Sequence, residues 1–326
     1  MAAALIRLRA FSARHRKLIA VAGSLVVAAL LVLVLAGHRD EFAEAFTSAS
    51  FGVLALATTL QIVALLARTE AWHGCINAAG GTVERRVLFR ASSVGYVGSL
   101  LNAQVGTAAR IAALRRSSPA TSPPVSTLVA AEVPIMAVEA MFGALTSFTL
   151  IGPLGLPWWA PLIFLAVVGG LSTGLRHLAQ RTTRAVWSGL LVLRSARGGL
   201  GLVGWVMVAI AAQVSRNWAL LHGVGVDASI FDATAVLIAM STLSQLPVGP
   251  SVGAAAAVLI LGREGVAAVA AAGLLSTVTG IVGGLTFAAW AGTDGLMVRR
   301  RTRRAGAADG RGALASDAEG GRPASR

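Results

Sequence analysis

Long apolar runs recur along the chain and are separated by short segments rich in arginine. Six of these runs are 20 or more residues long, about the length that a helix needs to cross roughly 30 Å of hydrocarbon. The pattern therefore predicts an all-α polytopic membrane protein with six full spans. The predicted spans are Leu18–Gly37, Ser50–Trp72, Val125–Ile151, Trp158–Leu178, Leu200–Leu221 and Val266–Trp290.

Two further apolar regions, Val87–Arg116 and Phe231–Gly262, are interrupted by polar residues, proline or glycine. Because a helix breaks or kinks at such positions, each region predicts two short helices. The segments after the breaks, Thr107–Arg116 and Val252–Gly262, would reach only about 15 to 17 Å at about 1.5 Å per residue. We therefore expect two re-entrant helical hairpins, each of which enters and leaves the membrane on one face. The interruptions are Asn102, Gln104 and Gly106 in the first region and Pro247, Gly249, Pro250 and Gly253 in the second.

The basic residues predict the orientation of the chain. Of the 28 Lys and Arg, 23 lie in segments that this topology puts on one side of the membrane. The positive-inside rule makes that side cytoplasmic. Both termini, including the basic segment 1–17, are then cytoplasmic, and the expected location is a plasma membrane of the bacterial inner-membrane type.

The same topology contains an internal symmetry. The segments 18–151 and 158–290 each run span, span, hairpin, span, with opposite orientations. Such an inverted repeat is typical of transporters whose substrate site lies near the midplane, where the broken helices of the two halves meet. The tail 299–326 lacks a run that could form a core, so we expect it to be disordered and cytoplasmic.

Composition and charge exclude several other classes of protein. The chain is 56% hydrophobic and 13% charged, whereas soluble domains carry about 25% charge. Its net charge of +14 comes from arginines between the apolar runs, where they orient a membrane protein, so we expect no nucleic-acid partner. The chain has one cysteine, Cys75, and its five histidines lack ligand spacing, so we expect neither a disulfide within the chain nor a metal or other cofactor.

Two glycine motifs match the sequence patterns of enzymes but lack the structural context that those patterns require. The G-x-G-x-x-G at 199–204 opens a predicted membrane span, whereas a dinucleotide-binding loop follows a β-strand. The G-x-S-x-G at 249–253 would require a histidine after Ser251, and the last histidine is His222. We therefore expect no enzymatic activity.

Several ionisable residues fall within the apolar segments, where a charge is costly and usually faces a cavity or a partner. Glu132 and Glu139 are seven residues apart and share a face of the third predicted span. One hypothesis is an anion-binding cavity in which Arg110 and Arg216 contact a lipid phosphate. The alternative is that Glu132 pairs with Arg110, or Glu139 with Arg216, and holds helices together. Arg68, near the end of the second predicted span, is expected to extend to the interface.

The two interrupted regions resemble a known family. Residues 102–110 form the run NAQVGTAAR, which is similar to the P-x-R-x-G-E-x-x-R element in the flippase-like membrane domain of lysylphosphatidylglycerol synthases. Residues 246–253 form the run LPVGPSVG, which resembles the later P-x-x-P-G-G-x-G element of that family. The similarity extends over about residues 18–295 and includes Glu132. The departures are Asn102, Gln104 and Thr107 in place of Pro, Arg and Glu, and Ser251 and Val252 in place of the glycine pair.

The resemblance implies a flippase-like membrane protein that binds or translocates an anionic or polyprenyl-linked lipid. The alternative is an accessory subunit that transports nothing and holds a glycosyltransferase or lipid-modifying enzyme at the membrane. Because only a short tail follows the last span, we expect the soluble synthase domain to be absent, so that the chain does not make lysylphosphatidylglycerol. The expected lipid-binding residues are Asn102, Gln104, Gly106, Arg110, Glu132, Glu139, Arg216, Pro247, Gly249, Pro250, Ser251 and Gly253.

Overall fold

The computed structural model describes residues 36–99, 103–117, 123–181, 185–243 and 252–320, which form helices joined by short connections. None of these described residues belongs to a β-strand. Five helical segments among them are long and apolar enough to cross a membrane. The predicted class of all-α polytopic membrane protein is therefore confirmed. The first predicted span, Leu18–Gly37, lies outside the described residues apart from its last two positions.

The five candidate spans coincide with five of the predicted runs. Each begins within four residues of its predicted start and ends two to six residues after its predicted end, because the helices continue beyond the apolar core into polar positions. The candidate spans are Phe51–Ala78, Val125–Leu154, Ala160–Arg181, Ala196–Gly223 and Val266–Thr293.

We number the α-helices in chain order. Among the described residues, 3₁₀ helices at Ser147–Leu150, Ala185–Arg194 and Gly262–Glu264 connect some of them. The α-helices are α1 Arg39–Ser48, α2 Phe51–Ala78, α3 Arg85–Ser99, α4 Ala103–Ser117, α5 Val125–Ala130, α6 Glu132–Thr146, α7 Ile151–Leu154, α8 Ala160–Arg181, α9 Ala196–Gly223, α10 Ile230–Leu243, α11 Val252–Leu261 and α12 Val266–Gly320.

Local sequence signals explain where the long helices begin and end. Ser50 and Ser195 cap α2 and α9, since their hydroxyls accept hydrogen bonds from the backbone N–H of Val53 at 3.3 Å and of Gly198 at 3.0 Å. Beyond the other ends of these helices, Gly80 and Gly225 adopt φ of 84° and 83°, a left-handed conformation that favours glycine. The apolar runs are thus bounded by residues that stop a helix.

Three long helices, α2, α9 and α12, form the centre of the bundle. They pack on one another, and α2 and α9 run antiparallel, since Gly223 at the end of α9 lies against Val53 near the start of α2 and Arg216 contacts Gln61. The helix α8 lies at the periphery, where only 11% of its most apolar stretch is buried within the protein. The central helices therefore provide the scaffold on which the shorter helices rest.

The first interrupted region forms two antiparallel helices, α3 and α4. A Cβ on Gly106 would come within 2.7 Å of both the Gly95 carbonyl oxygen and the Ser99 side chain, so the two backbones nearly touch. Arg110, one turn further along α4, lies against Gly95, one turn earlier in α3. Gly106 therefore lies inside α4 as a packing contact. The backbone of Gln104 also lies within α4, so the expectation that these two residues interrupt the helix was wrong. Close helix approach of this kind depends on small residues.

The second interrupted region likewise contains two helices, α10 and α11, that pack against each other. At the start of α11, Gly253 lies against the backbone of Gly273 in α12. The predicted breaks at Pro247, Gly249 and Pro250 lie outside the described residues, whereas Gly253 lies inside α11, so the expectation that it interrupts the helix was wrong.

Both helix pairs reach the middle of the membrane-length part of α12 from opposite ends. The ring of Phe89 on α3 lies 6.2 Å from that of Trp290, and the hydroxyl of Tyr96 donates a hydrogen bond of 2.6 Å to the Gly280 carbonyl. From the other end, α11 reaches Gly273, seven residues before Gly280 and about 10 Å from it along the helix. The two pairs therefore approach one stretch of α12.

The end of α12 differs from the expectation for the tail. Residues 299–320, for which the composition predicted disorder, continue α12 as a helix as far as Gly320. Extending an existing helix needs no new nucleus, and alanine and arginine both favour the helical state.

We expect Gly284→Ala to destabilise the protein by about 1 to 3 kcal/mol, because a methyl group there would overlap the ring of Tyr96. Gly292→Ala in the same helix is the matched control, since a Cβ at that position meets nothing within 4 Å. Thermal unfolding of both purified variants in detergent would measure the difference. Equal stability of the two variants would contradict the packing of Tyr96 of α3 against Gly284 of α12.

Candidate functional site

Arg110 and Glu132 form a buried ion pair between α4 and α6. Their side chains are each 10% exposed, and the Arg110 guanidinium carbon lies 4.0 Å from the centre of the Trp72 ring. The indole N–H of Trp72 donates a 3.5 Å hydrogen bond to the Leu128 carbonyl, which fixes the ring below the guanidinium. Arg110 is therefore neutralised by a carboxylate and stacked on an aromatic face. This is the pairing that the alternative hypothesis predicted.

Glu139 pairs with Arg68 of α2. The prediction that Glu139 pairs with Arg216 was therefore wrong. Arg68 also does not end its helix, because α2 continues for ten residues to Ala78. The longer helix keeps Arg68 about 15 Å from the helix end, so that it meets α6. Glu132 and Glu139 thus use their shared face of α6 to hold one arginine each.

Arg216 lies on α9 within a network of uncharged polar groups. One terminal nitrogen donates to the side-chain oxygens of Gln61 and Gln213, the latter at 3.0 Å. The other donates to the backbone carbonyl and, at 2.8 Å, to the hydroxyl of Ser276. The Ser276 hydroxyl in turn donates to Asn217 at 3.2 Å. Helices α2, α9 and α12 therefore all contribute acceptors to this guanidinium.

Arg216 has no carboxylate partner among the described residues. Of the ion pairs that the described residues form, none includes Arg216, although the residue is only 5% exposed. Its Nε atom is buried and lacks a hydrogen-bond partner in the part of the chain that the structure describes. A buried charge without an opposite charge is costly, and it therefore favours binding of an anion.

The neighbours of Arg216 link it to the first helix pair. The space beside Gly280 is bounded by an Arg216 terminal nitrogen, 3.2 Å from a Cβ built on Gly280, and by the Tyr96 hydroxyl at 3.5 Å. Tyr96 also interacts with Gln61. The Arg216 network therefore adjoins the end of α3 as well as the central helices.

A small cavity lies beside the same network, between α9, α12 and the second helix pair. Its volume of about 10 Å³ is room for about one water molecule. Asn217 and Ser276 supply its polar groups. The remaining lining residues are Leu220, Leu221, Val236, Met240, Ala257, Ala272 and Gly273.

The predicted site residues lie in different parts of the structure. Arg110, Glu132 and Glu139 lie in the two ion pairs, and Gly106 and Gly253 lie at close helix contacts. Arg216 lies in its own network, and only the backbone of Gln104, in α4, is described. The lipid-binding role of all these residues stays a prediction. Asn102, Pro247, Gly249, Pro250 and Ser251 lie outside the described residues.

Three polar residues that contact or adjoin Arg216 were not ranked from the sequence. Gln61, Tyr96 and Ser276 lie on three different helices, so no local motif joins them. The sequence feature that could identify them is a polar residue within an apolar stretch, because a polar side chain buried there needs a hydrogen-bond partner. Gln61 and Ser276 are 5% and 3% exposed and fit that signal.

The described residues hold no group of three or more His, Cys, Asp or Glu side chains placed to bind a metal ion. What the Arg216 network offers is one cation surrounded by neutral hydrogen-bonding groups. That arrangement can bind and orient an anion, since hydrogen bonds from a charged donor are among the stronger ones in proteins.

Comparison with known proteins places the chain among membrane domains. A family model described as the lysylphosphatidylglycerol synthase TM region matches residues 19–291. The matched range includes both helix pairs and the residues of the Arg216 network. No curated protein and no solved structure gives a significant match to the chain.

Proposed function

The chain belongs to the family of the lysylphosphatidylglycerol synthase TM region, and from this premise we propose that it binds an anionic or polyprenyl-linked lipid and moves it across the membrane. The observation that supports this proposal most is Arg216, a buried guanidinium with no carboxylate partner in the described structure. The phosphate of such a lipid would supply the missing negative charge.

The two buried arginines are assigned different roles in this proposal. Arg110 already has a carboxylate partner in Glu132, so a lipid phosphate would have to displace that carboxylate. Arg216 has only neutral acceptors and a free Nε, so a phosphate oxygen would gain a charge-assisted hydrogen bond without breaking an ion pair. We therefore assign phosphate recognition to Arg216 and helix attachment to Arg110.

The two helix pairs act as re-entrant hairpins in this proposal. At about 1.5 Å per residue the 15 residues of α3 span about 22 Å and the 10 residues of α11 about 15 Å, each less than a hydrocarbon core of roughly 30 Å. Their approach to α12 from opposite ends supports an inverted repeat, in which the two halves meet near the midplane. Arg216 would then lie where the halves meet.

Orientation follows from the basic residues at the base of the first helix pair. Arg85, Arg86 and Arg90 lie early in α3, and Arg115 and Arg116 end α4. Because the two helices are antiparallel, these five arginines share one end of the bundle. The positive-inside rule favours the cytoplasmic side for that end. The proposed location is a plasma membrane.

Translocation requires movement at the Arg216 network. A cavity of about 10 Å³ holds about one water molecule, which is far less than a lipid headgroup. The cavity wall includes Val236 and Met240 of α10 and Ala257 of α11, so separation of the second helix pair from α9 and α12 would enlarge it. Rocking of one repeat against the other would then expose Arg216 to each leaflet in turn.

The test is lipid binding by Arg216→Gln. Purified wild-type and variant proteins would be exchanged into nanodiscs containing phosphatidylglycerol, and bound lipid would be counted by native mass spectrometry. We expect the variant to lose at least tenfold in affinity, because a hydrogen bond to a charged group contributes about 1.5 to 3 kcal/mol. Arg263→Gln is the matched control, since Arg263 lies exposed on a short 3₁₀ helix. Equal binding by the wild type and Arg216→Gln would contradict the proposal.

A further inference from the structure

The Arg216 network carries one formal charge. The side chains that contact Arg216 are two amides and a hydroxyl, from Gln61, Gln213 and Ser276, and all are neutral. In the described part of the chain no Asp, Glu, His or second basic residue is hydrogen-bonded to this group. The net charge that a ligand has to balance is therefore +1.

We propose that the Arg216 network selects a lipid by the charge of its headgroup and takes a phosphodiester, which carries one negative charge, in preference to a phosphomonoester or a diphosphate. This inference rests on the proposed function and narrows its substrate class. A glycerophospholipid diester and a polyprenyl-phosphoryl sugar share the required chemistry.

The physical reason is the cost of an unbalanced charge inside the protein. A phosphodiester at Arg216 makes the site neutral, so both charged groups are compensated. A phosphomonoester carries about −1.5 to −2 at pH 7, and its second charge would be buried without a partner. A diphosphate would bury still more negative charge, and the neutral amides of Gln61 and Gln213 cannot balance it.

The neutral groups around Arg216 also suit a diester. Two oxygens of a phosphodiester are ester oxygens and accept hydrogen bonds weakly, so the group needs few donors beyond one guanidinium. The buried Nε supplies such a donor. The amide N–H groups of Gln213 and Asn217, both on α9, provide two more without adding charge.

The test compares two lipids with the same acyl chains, phosphatidylglycerol and phosphatidic acid, which differ in headgroup charge. The full chain in detergent would be titrated with each lipid at pH 8 and at pH 5, and binding would be measured by native mass spectrometry. At pH 8 we expect phosphatidylglycerol to bind at least tenfold more tightly. At pH 5, below the second phosphate pKa of about 6, phosphatidic acid carries one charge and the preference should largely disappear.

Two additional lipids separate the sources of the diester. A polyprenyl-phosphoryl sugar should compete with phosphatidylglycerol for binding, whereas the corresponding polyprenyl diphosphate should compete at least tenfold more weakly. The variant Gln213→Lys adds a second positive charge one turn from Arg216 and should shift the preference at pH 8 towards phosphatidic acid.

The outcomes distinguish this inference from the proposed function. Equal or tighter binding of phosphatidic acid or the diphosphate at pH 8, with binding still lost in Arg216→Gln, would overturn the charge selection alone. An unchanged preference in Gln213→Lys would also overturn it. Absence of any Arg216-dependent lipid binding would overturn the proposed function and this inference together.

Discussion

Glu132→Leu is expected to destabilise the protein by about 3 to 5 kcal/mol, because it leaves the buried guanidinium of Arg110 without its carboxylate. Arg110→Met should cost a similar amount, since it leaves Glu132 buried and unpaired. The double variant should recover most of the loss, because replacing both members of a buried pair by apolar groups is often nearly neutral. Unfolding of the four proteins in detergent would give the coupling free energy.

Glu264→Leu is the control for this cycle. Glu264 is exposed on the 3₁₀ helix before α12, so its loss should change stability by no more than about 0.5 kcal/mol. Additive effects of Glu132→Leu and Arg110→Met would show that the two side chains do not act as a pair. The assignment of Arg110 to helix attachment would then fail.

Gln61→Glu is expected to stabilise the protein and weaken lipid binding at the same time. The Gln61 side-chain oxygen already accepts a hydrogen bond from Arg216, so a carboxylate of the same shape would give the arginine an internal partner. Pairing an otherwise uncompensated cation should add about 1 to 3 kcal/mol to the free energy of unfolding. A phosphate would then have to displace that carboxylate, so affinity should fall by at least tenfold.

Gln61→Met is the matched control, because it keeps the length of the side chain and adds no charge. It should lose stability, since the Arg216 nitrogen would lose one of its two acceptors and keep only Gln213. Lipid binding should persist in this variant, because Arg216 would still lack a carboxylate. Destabilisation by Gln61→Glu, or undiminished lipid binding in that variant, would contradict an unpaired charge at Arg216.

The spans could be predicted from the sequence because crossing a membrane requires a minimum apolar length. The Val266–Trp290 run, for example, begins where the last candidate span begins and ends three residues before it. The division of each interrupted region into two helices followed from residues that break helices. The prediction of a break at Gly106 was wrong, because glycine also occurs where two helices touch, and only the partner helix distinguishes the two uses.

The charge pairing could be predicted only in part. Seven-residue spacing put Glu132 and Glu139 on one face, and it offered Arg110 as a partner for Glu132, as found. The spacing does not show which helix faces Glu139. The prediction that Glu139 pairs with Arg216 was wrong because α2 places Arg68 beside Glu139. Which neighbours a helix face meets depends on tertiary packing, and no spacing along one chain segment contains that information.

The neutral partners of Arg216 were the least predictable part of the site. Gln61 and Ser276 are 215 residues apart in sequence, and Tyr96 lies on a third helix. Each is a single polar residue in an apolar segment. Such a residue is expected to have a polar partner, but the sequence does not identify that partner. Only the packing of α2, α3, α9 and α12 brings these groups to one guanidinium.

The most direct test of the account is a structure of the protein in nanodiscs containing phosphatidylglycerol. We predict a lipid phosphate oxygen about 2.7 to 2.9 Å from a nitrogen of Arg216, with Arg110 still paired to Glu132 and the second helix pair displaced from α9 and α12. A phosphate bound at Arg110 in place of Glu132, with Arg216 still surrounded only by Gln61, Gln213 and Ser276, would contradict it.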